Sequence, residues 1–239
     1  MKCVIAAAGK GTRMLELTKD RPKHVIEVLN KPFLFYLLEN LKKGGVDELI
    51  LVVGYQKQAM EKFAEDYKND FKITLVDQFE KFGKKYGTSV PIEAAKEYVE
   101  DETFLAVYGD NLYSPNDVKR LIETEDTNYM CVLEHDHPEN YGVTVADSGG
   151  YLTRIVEKPK EYISNCINTG LYKFTPEIFE EVARVGLSSR GEYELTDAIQ
   201  ALAEKHKVKV LKLQDYWLDF GKPEDIATVE KFLKKQGRE

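Results

Sequence analysis

From its second residue the chain alternates short apolar runs with longer stretches whose apolar residues recur at helical spacing, and it completes four such strand-helix units by about residue 125. "KCVIAA" reads as the first strand. "NKPFLFYLLENLKKGG" places a proline near a first helical turn, builds an apolar face from Leu34, Leu37, Leu38 and Leu41, and stops at Gly44-Gly45. "ELILVVG" is apolar throughout, as a strand buried on both faces should be. The pattern repeats in "KQAMEKFAEDY", "KITLVD", "TSVPIEAAKEYV", "TFLAVYGD" and "SPNDVKRLIETE". A chain built this way predicts an α/β fold with a mostly parallel central sheet and helices on both of its faces.

The texture then changes. "NYMCVLEHD", "YGVTVADSGGYLTRIVEKP" and "NCINTGLYKF" read as strands, with "DSGG" a hairpin turn. Helices return at "PEIFEEVARV" and "YELTDAIQALAEKH", followed by the strand "VKVLKLQ", the aromatic run "DYWLDFG" and a closing helix "PEDIATVEKFLKKQ". No repeat or low-complexity linker divides the chain, so a single domain over 1-239 is expected. Its parts run from about 1 to 125, about 126 to 220, and 221 to 239.

With 239 residues, 43% of them hydrophobic, the chain can bury a sizeable core. A formal net charge of -7 and a pI near 5.4 argue against a nucleic-acid surface or an anionic membrane as partner. No signal-peptide core or membrane-length apolar run is present, which predicts a cytoplasmic protein. Cys3, Cys131 and Cys166 are too scattered for a disulfide or metal framework, and each is expected to be a small buried hydrophobe.

The stretch "AAAGKGTRM" follows the first strand directly. It lacks the third glycine of a dinucleotide fingerprint, since Met14 stands there and no helix-like face follows at once; nor does it have the GKS or GKT tail of a Walker loop. What remains is a glycine-rich turn at the carboxyl end of a strand. There, backbone N–H groups of Gly9, Gly11 and Thr12 can converge on an anion. Arg13 adds a planar charged fork, and Lys23, behind Pro22, a second cation. A tight surface turn with solvated charges satisfies the loop taken alone equally well.

The longer phrase "GKGTRMLELTKDRPKHVIEVLNKPFL" resembles the signature of the sugar-phosphate nucleotidyltransferases, the pyrophosphorylases that make nucleotide sugars. Gly9, Gly11, Thr12, Arg13, Thr18, Pro22, Lys23, Lys31 and Pro32 match it in order. The resemblance implies a Rossmann-like mixed sheet with an inserted, β-rich sugar-binding part, and it extends over nearly the whole chain. "VYGDN" and "YWLDFG" then look like the family's two carboxylate segments, with Asp110 and Asp219 as ligands of a magnesium ion; either aspartate alone could be a turn former or a helix cap. "EKP" resembles the element in which a glutamate, here Glu157, meets sugar hydroxyls and a lysine, here Lys158, meets the sugar phosphate. Gly142, Asn168, Gly170 and Tyr172 match sugar-pocket positions. Gln78, then the loose spacer "FEKFGKK", then "YGTSVPIEAA" is similar to the element that reads a pyrimidine edge, with Gly87, Thr88 and the turn around Ala8 approaching the base and Ser89 replacing the usual alanine.

The activity implied is transfer of a nucleotidyl group from UTP or dTTP to a sugar 1-phosphate, glucose 1-phosphate first among them, with pyrophosphate released. Arg13, Lys23 and Lys158 are the implied catalytic cations. Another base, a non-sugar acceptor such as phosphocholine or inositol phosphate, or a non-catalytic regulatory subunit on the same fold stay open, as does a homo-oligomer. No long tail follows the closing helix, so no fused acetyltransferase domain is expected. His135-Asp136-His137 lacks metal-site spacing and reads as a solvated turn. "RGEYELTDAIQ" resembles a family segment too, but Glu192, Glu194 and Asp197 near a helix start are explained by the helix dipole.

Overall fold

A computed structural model describes residues 1–99 and 101–238, apart from the side chain of Leu15. The main sheet is built from β1 (Lys2–Ala6), β2 (Glu48–Val53), β3 (Ile73–Asp77), β4 (Phe104–Tyr108), β5 (Asn128–Glu134), β6 (Gly142–Ala146), β7 (Leu152–Glu157), β8 (Cys166–Phe174) and β9 (Val208–Lys212). Its order is β7-β6-β8-β4-β1-β2-β3, and β5 joins β8 to β9. The pairs β1/β2, β1/β4 and β2/β3 are parallel. β8 runs against β4, and β6 and β7 extend that antiparallel half. The expected mostly parallel sheet with a β-rich addition is therefore what forms.

Eight α-helices accompany these strands among the described residues: α1 (Phe33–Lys43), α2 (Lys57–Asp66), α3 (Gln78–Phe82), α4 (Val90–Val99), α5 (Pro115–Ile122), α6 (Ile178–Val182), α7 (Leu195–Glu204) and α8 (Pro223–Lys235). Because successive strand residues point to opposite faces, β1 sends Cys3 and Ile5 to one side and Val4 to the other. The first side packs on Leu34, Leu37 and Leu41 of α1, Val118 of α5 and Leu233 of α8. The second packs on Ile92 and Ala95 of α4, Phe179 of α6 and Ile199 of α7. Two-sided burial is why β2 reads as an unbroken apolar run.

Local chemistry sets the helix ends. Ser114 caps α5 by accepting from the amide of Asn116, with Pro115 in the first turn. Asp77 caps α3 through the amides of Phe79 and Glu80. Three expectations need correction. The residues after Gln78, which read as a loose spacer, form α3 because Asp77 supplies that cap. The helix expected over "PEIFEEVARV" is shorter, Ile178–Val182, with turns on either side even though Ala183 and Arg184 favour helix, so intrinsic propensity does not set its end. Cys166 is half-buried, unlike Cys3 and Cys131. A 3-10 helix, Thr12–Thr18, also follows the glycine loop directly. Among the described residues no helix is long and apolar enough to cross a membrane.

Candidate active site

The glycine loop leaves β1 with its backbone tied to both neighbours. Gly109 N donates to Ala6 O at 2.9 Å, Ala7 N to Val52 O at 2.9 Å and Tyr55 N to Ala8 O at 3.3 Å. Gly11 turns the chain at φ 62, in the left-handed region that favours glycine. A Cβ there would lie 3.4 Å from the stem of Lys23, an ordinary contact, so it is the backbone conformation and not the space that favours glycine. Thr18 Oγ1 donates to Gly11 O at 3.1 Å and closes the turn from behind.

Lys23, almost fully buried, forms an ion pair with Asp110, which follows Gly109 at the carboxyl end of β4. Burial alone would raise the Asp110 carboxyl, but the Lys23 ammonium and the Arg13 guanidinium hold it below the ordinary carboxylate value. A two-stranded antiparallel ribbon, Asn111–Tyr113 with Trp217–Asp219, sets Asp219 across from Asn111. Asp219 is pushed up to about 6 by burial first, then by the charges of Asp110 and Asp225. The Arg13 guanidinium lies against Gly221, where a Cβ would come within 3.1 Å of Nη2 and 3.3 Å of Asp219 Oδ1. Beside them His24 is enclosed and lowered to about 3 by burial and by Lys23, so its imidazole is neutral at physiological pH.

The opposite wall is made where β8 bends. Its pairing with β5 slips between Asn168 and Tyr172, and Gly170 between them has φ 74. A Cβ on Gly170 would sit 2.2 Å from the ring of Tyr108, so no larger residue fits this arrangement. The carbonyls freed by the bend are satisfied: Tyr113 OH donates to Thr169 O and Gly170 O, and Trp217 Nε1 to Thr169 O at 3.1 Å. Asn168 Oδ1 accepts from Gly170 N at 3.0 Å, and its Nδ2 donates to Tyr172 OH at 2.6 Å. Gly142 leaves space for Glu157, whose Oε2 is 3.1 Å from where a Cβ would stand. Lys158 adopts φ 44, an unusual conformation for a lysine before proline, and its N–H donates to Tyr141 O at 3.0 Å.

Arg190 links this wall to its surroundings. Its Nη1 lies 3.2 Å from Glu157 Oε1 and 3.3 Å from Glu194 Oε1. Burial, then the charge of Glu194, raises the Glu157 carboxyl, while Arg190 and Lys158 oppose the shift. On the nucleotide side, Gln78 is buried and its Oε1 has no partner among the described residues. Gly87 and Thr88 complete that side, with Thr88 Oγ1 accepting from Leu195 N at 2.8 Å.

These walls enclose one cleft of about 440 Å³ at the carboxyl ends of β1 and β4. That is where open α/β sheets place their ligands. Ala8, Gly9, Thr12, Arg13, Lys23, Gln78, Gly87, Thr88, Asp110, Gly142, Glu157, Lys158, Asn168 and Asp219 all line it. Three of the residues expected there do not. Gly11 lies behind Lys23, Gly170 packs against the ring of Tyr108, and Tyr172 is wholly buried, stacked on Phe174 at 5.1 Å, its hydroxyl meeting the cleft-lining Asn168 and Tyr108. His24, Tyr86, Tyr108, Asn111, Tyr141, Arg190, Glu192, Glu194 and Trp217 line it as well, although the sequence did not single them out for this place. Glu192 and Glu194, read as dipole partners of a helix, are therefore also part of the wall. The resemblance of "RGEYELTDAIQ" to a family segment was the signal that could have found Arg190, Glu192 and Glu194. His135 and His137 lie in a turn, with His137 N donating to His135 Nδ1. Among the described residues no group of three or more His, Cys, Asp and Glu is placed to hold a metal ion, so any cation here would have two carboxylates and other oxygens.

A family model described as nucleotidyl transferase matches residues 2–236. The chain belongs to this family. It is 36% identical over 242 residues to the UTP–glucose-1-phosphate uridylyltransferase AglF of Haloferax volcanii, covering 99% of this chain and 98% of that one. It is 40% identical over 233 residues to the bifunctional protein GlmU of Methanocaldococcus jannaschii, covering 98% of this chain and 54% of that one. The chain thus spans about half the length of some of the curated relatives it matches. Among solved structures, a UDP-glucose pyrophosphorylase in complex with UDP-glucose superposes with a TM-score of 0.86 at 23% identity, covering 98% of each chain. A putative glucose-1-phosphate thymidylyltransferase of Bacillus anthracis gives 0.83 at 22% identity, covering 97% of this chain and 94% of that one. These two likenesses bear on the nucleotidyl transferase fold.

Proposed function

We propose that the cleft joins a sugar 1-phosphate, glucose 1-phosphate first, to UTP or dTTP, giving a nucleotide sugar and pyrophosphate. The observation that carries this reading is the convergence on one cleft of three cations, Arg13, Lys23 and Lys158, and two carboxylates, Asp110 and Asp219. Both reactants are polyanions, so the chemical problem is repulsion and alignment, and no protein nucleophile is needed. An oxygen of the sugar phosphate attacks the α-phosphorus of the triphosphate, and the bond to pyrophosphate breaks. Arg13 and Lys23 hold the triphosphate and the departing pyrophosphate, and Lys158 holds the attacking phosphate. Glu157 and Asn168 accept and donate to sugar hydroxyls. The unpartnered Oε1 of Gln78 suits the N3–H that uracil and thymine share.

The donor set fits magnesium. Two partly buried carboxylates face one cleft, the charge of Asp110 adding to the burial that raises Asp219, and hard oxygens that leave coordination positions open for phosphate are what this ion takes. Asp110 and Asp219 would hold it, and when bound it supplies charge neutralisation on the reacting phosphates. Without it, Lys23 is the counter-ion that keeps Asp110 charged.

The test is a matrix of nucleoside triphosphates against sugar 1-phosphates with magnesium, read by pyrophosphate release. UTP or dTTP with glucose 1-phosphate should react fastest. Absence of release above background from every pair would return the chain to a binding or regulatory role.

A further inference from the structure

Asn111 stands beside both carboxylates without a part in the reaction as described so far. It exposes only 4% of its surface, lines the cleft, and is the residue that Asp219 faces across the ribbon. Its Nδ2 donates to Asp110 Oδ1 at 3.1 Å. That bond fixes the amide, because the flipped orientation would set its oxygen against a carboxylate oxygen. The Asn111 Oδ1 therefore points away from Asp110, and it is buried with no hydrogen-bond partner among the described residues. Cross-strand partners of an antiparallel pair carry their side chains on one face, so this oxygen opens on the same side of the ribbon as the Asp219 carboxylate. The Asp110 oxygens are meanwhile divided, Oδ2 facing Lys23 and Oδ1 facing Asn111.

An empty buried acceptor between two carboxylates calls for a donor or a cation. A carboxamide oxygen is a hard ligand of the same kind as carboxylate and carbonyl oxygens. It also adds an oxygen without adding a third negative charge to a pair that already repels. We propose that Asn111 is a positioning residue of the cation site: its amide N–H holds Asp110, and its Oδ1 takes the cation or one of the cation's waters. This rests on Asp110 and Asp219 being the cation carboxylates.

Mn²⁺ alone, titrated into the metal-free full chain and followed by the electron paramagnetic resonance of the free ion, reads the affinity without turnover. Asn111→Leu, which keeps the shape and removes both polar atoms, should weaken Mn²⁺ by about tenfold, as loss of a supporting ligand does. Asn111→Asp should tighten it, because a charged oxygen replaces a neutral one. Unchanged affinity in a folded Leu variant, or no gain in the Asp variant, overturns the role of Asn111 while leaving the carboxylates standing; if the Leu variant does not fold, the Asp variant decides. Wild-type chain that binds no Mn²⁺, or binds it equally well after Asp110→Asn, overturns the reading beneath it.

Discussion

Replacing Asp219 by Asn in the metal-free protein should raise its stability at pH 8. The folded chain holds the Asp219 proton up to a pH of about 6, against an ordinary value of 3.8. Burial is the first cause, and the neighbouring charges of Asp110 and Asp225 add to it, with Arg13 and Lys23 opposing. Between these two values the unfolded chain binds fewer protons than the folded one, so stability falls as pH rises through the window of about 4 to about 6. Above it the penalty is fully present; below it the penalty vanishes. A shift of about two units at 1.36 kcal/mol each is roughly 3 kcal/mol. Asparagine removes the charge and keeps the shape, so urea unfolding with a chelator present should show a gain approaching that size at pH 8 and little at pH 4. Saturating magnesium should offset the wild type's disadvantage, since it binds the folded carboxylate pair and not the unfolded chain. An Asn variant no more stable than wild type at pH 8, or equally stabilised at both pH values, would refute the reasoning.

Asp110→Asn should lower turnover by at least about a hundredfold, the order seen when a key electrostatic group is lost, and near-normal pyrophosphate release under saturating magnesium would exclude that role. Gly170→Ala forces a Cβ to within 2.2 Å of the Tyr108 ring at φ 74, and should cost about 2–4 kcal/mol of stability in urea unfolding. A change of under about half a kcal/mol would mean that the bend in β8 does not depend on that glycine. Thr88→Val removes the acceptor for Leu195 N at the first turn of α7, and should lower stability by about 1 kcal/mol in the same measurement.

The parallel half of the sheet was legible because its signals are local. β1, β2 and β4 are buried on both faces, so each is a short unbroken apolar run between glycines or charges, and α1 carries its own stop at Gly44. α3 was hidden because its cap, Asp77, is the last residue of a strand, and five residues are too few to show helical periodicity. The motif-bearing residues Arg13, Lys23, Asp110, Lys158 and Asp219 were legible as members of one cleft, since each sits in a short phrase with a glycine or proline within two residues of it. Tyr172 shows the limit of that approach. Its phrase matched a sugar pocket, yet the strand's alternation turns it into the core, and its hydroxyl serves the site by holding Asn168.

What the sequence hid most completely is the joining of the two halves of the cleft. Gly87 was expected to let the backbone approach a base, but its tightest constraint is another part of the chain: a Cβ there would lie 2.3 Å from the backbone of Tyr193. Tyr193 N donates to Tyr86 O at 3.0 Å, and Ser89 donates to Tyr193 O through both its amide and its hydroxyl. Thr88 then takes the amide of Leu195, so the turn that carries Gly87 is bonded at several points to the segment that carries Arg190, Glu192 and Glu194. Ser89, a departure from the alanine of the resembling motif, has its reason here, because an alanine would supply only one of the two bonds to Tyr193. These partners stand about a hundred residues apart, beyond the reach of any local pattern. A substitution that loosens the turn should therefore disturb the wall around Glu157 as well, since Arg190 ties that carboxylate to the same segment.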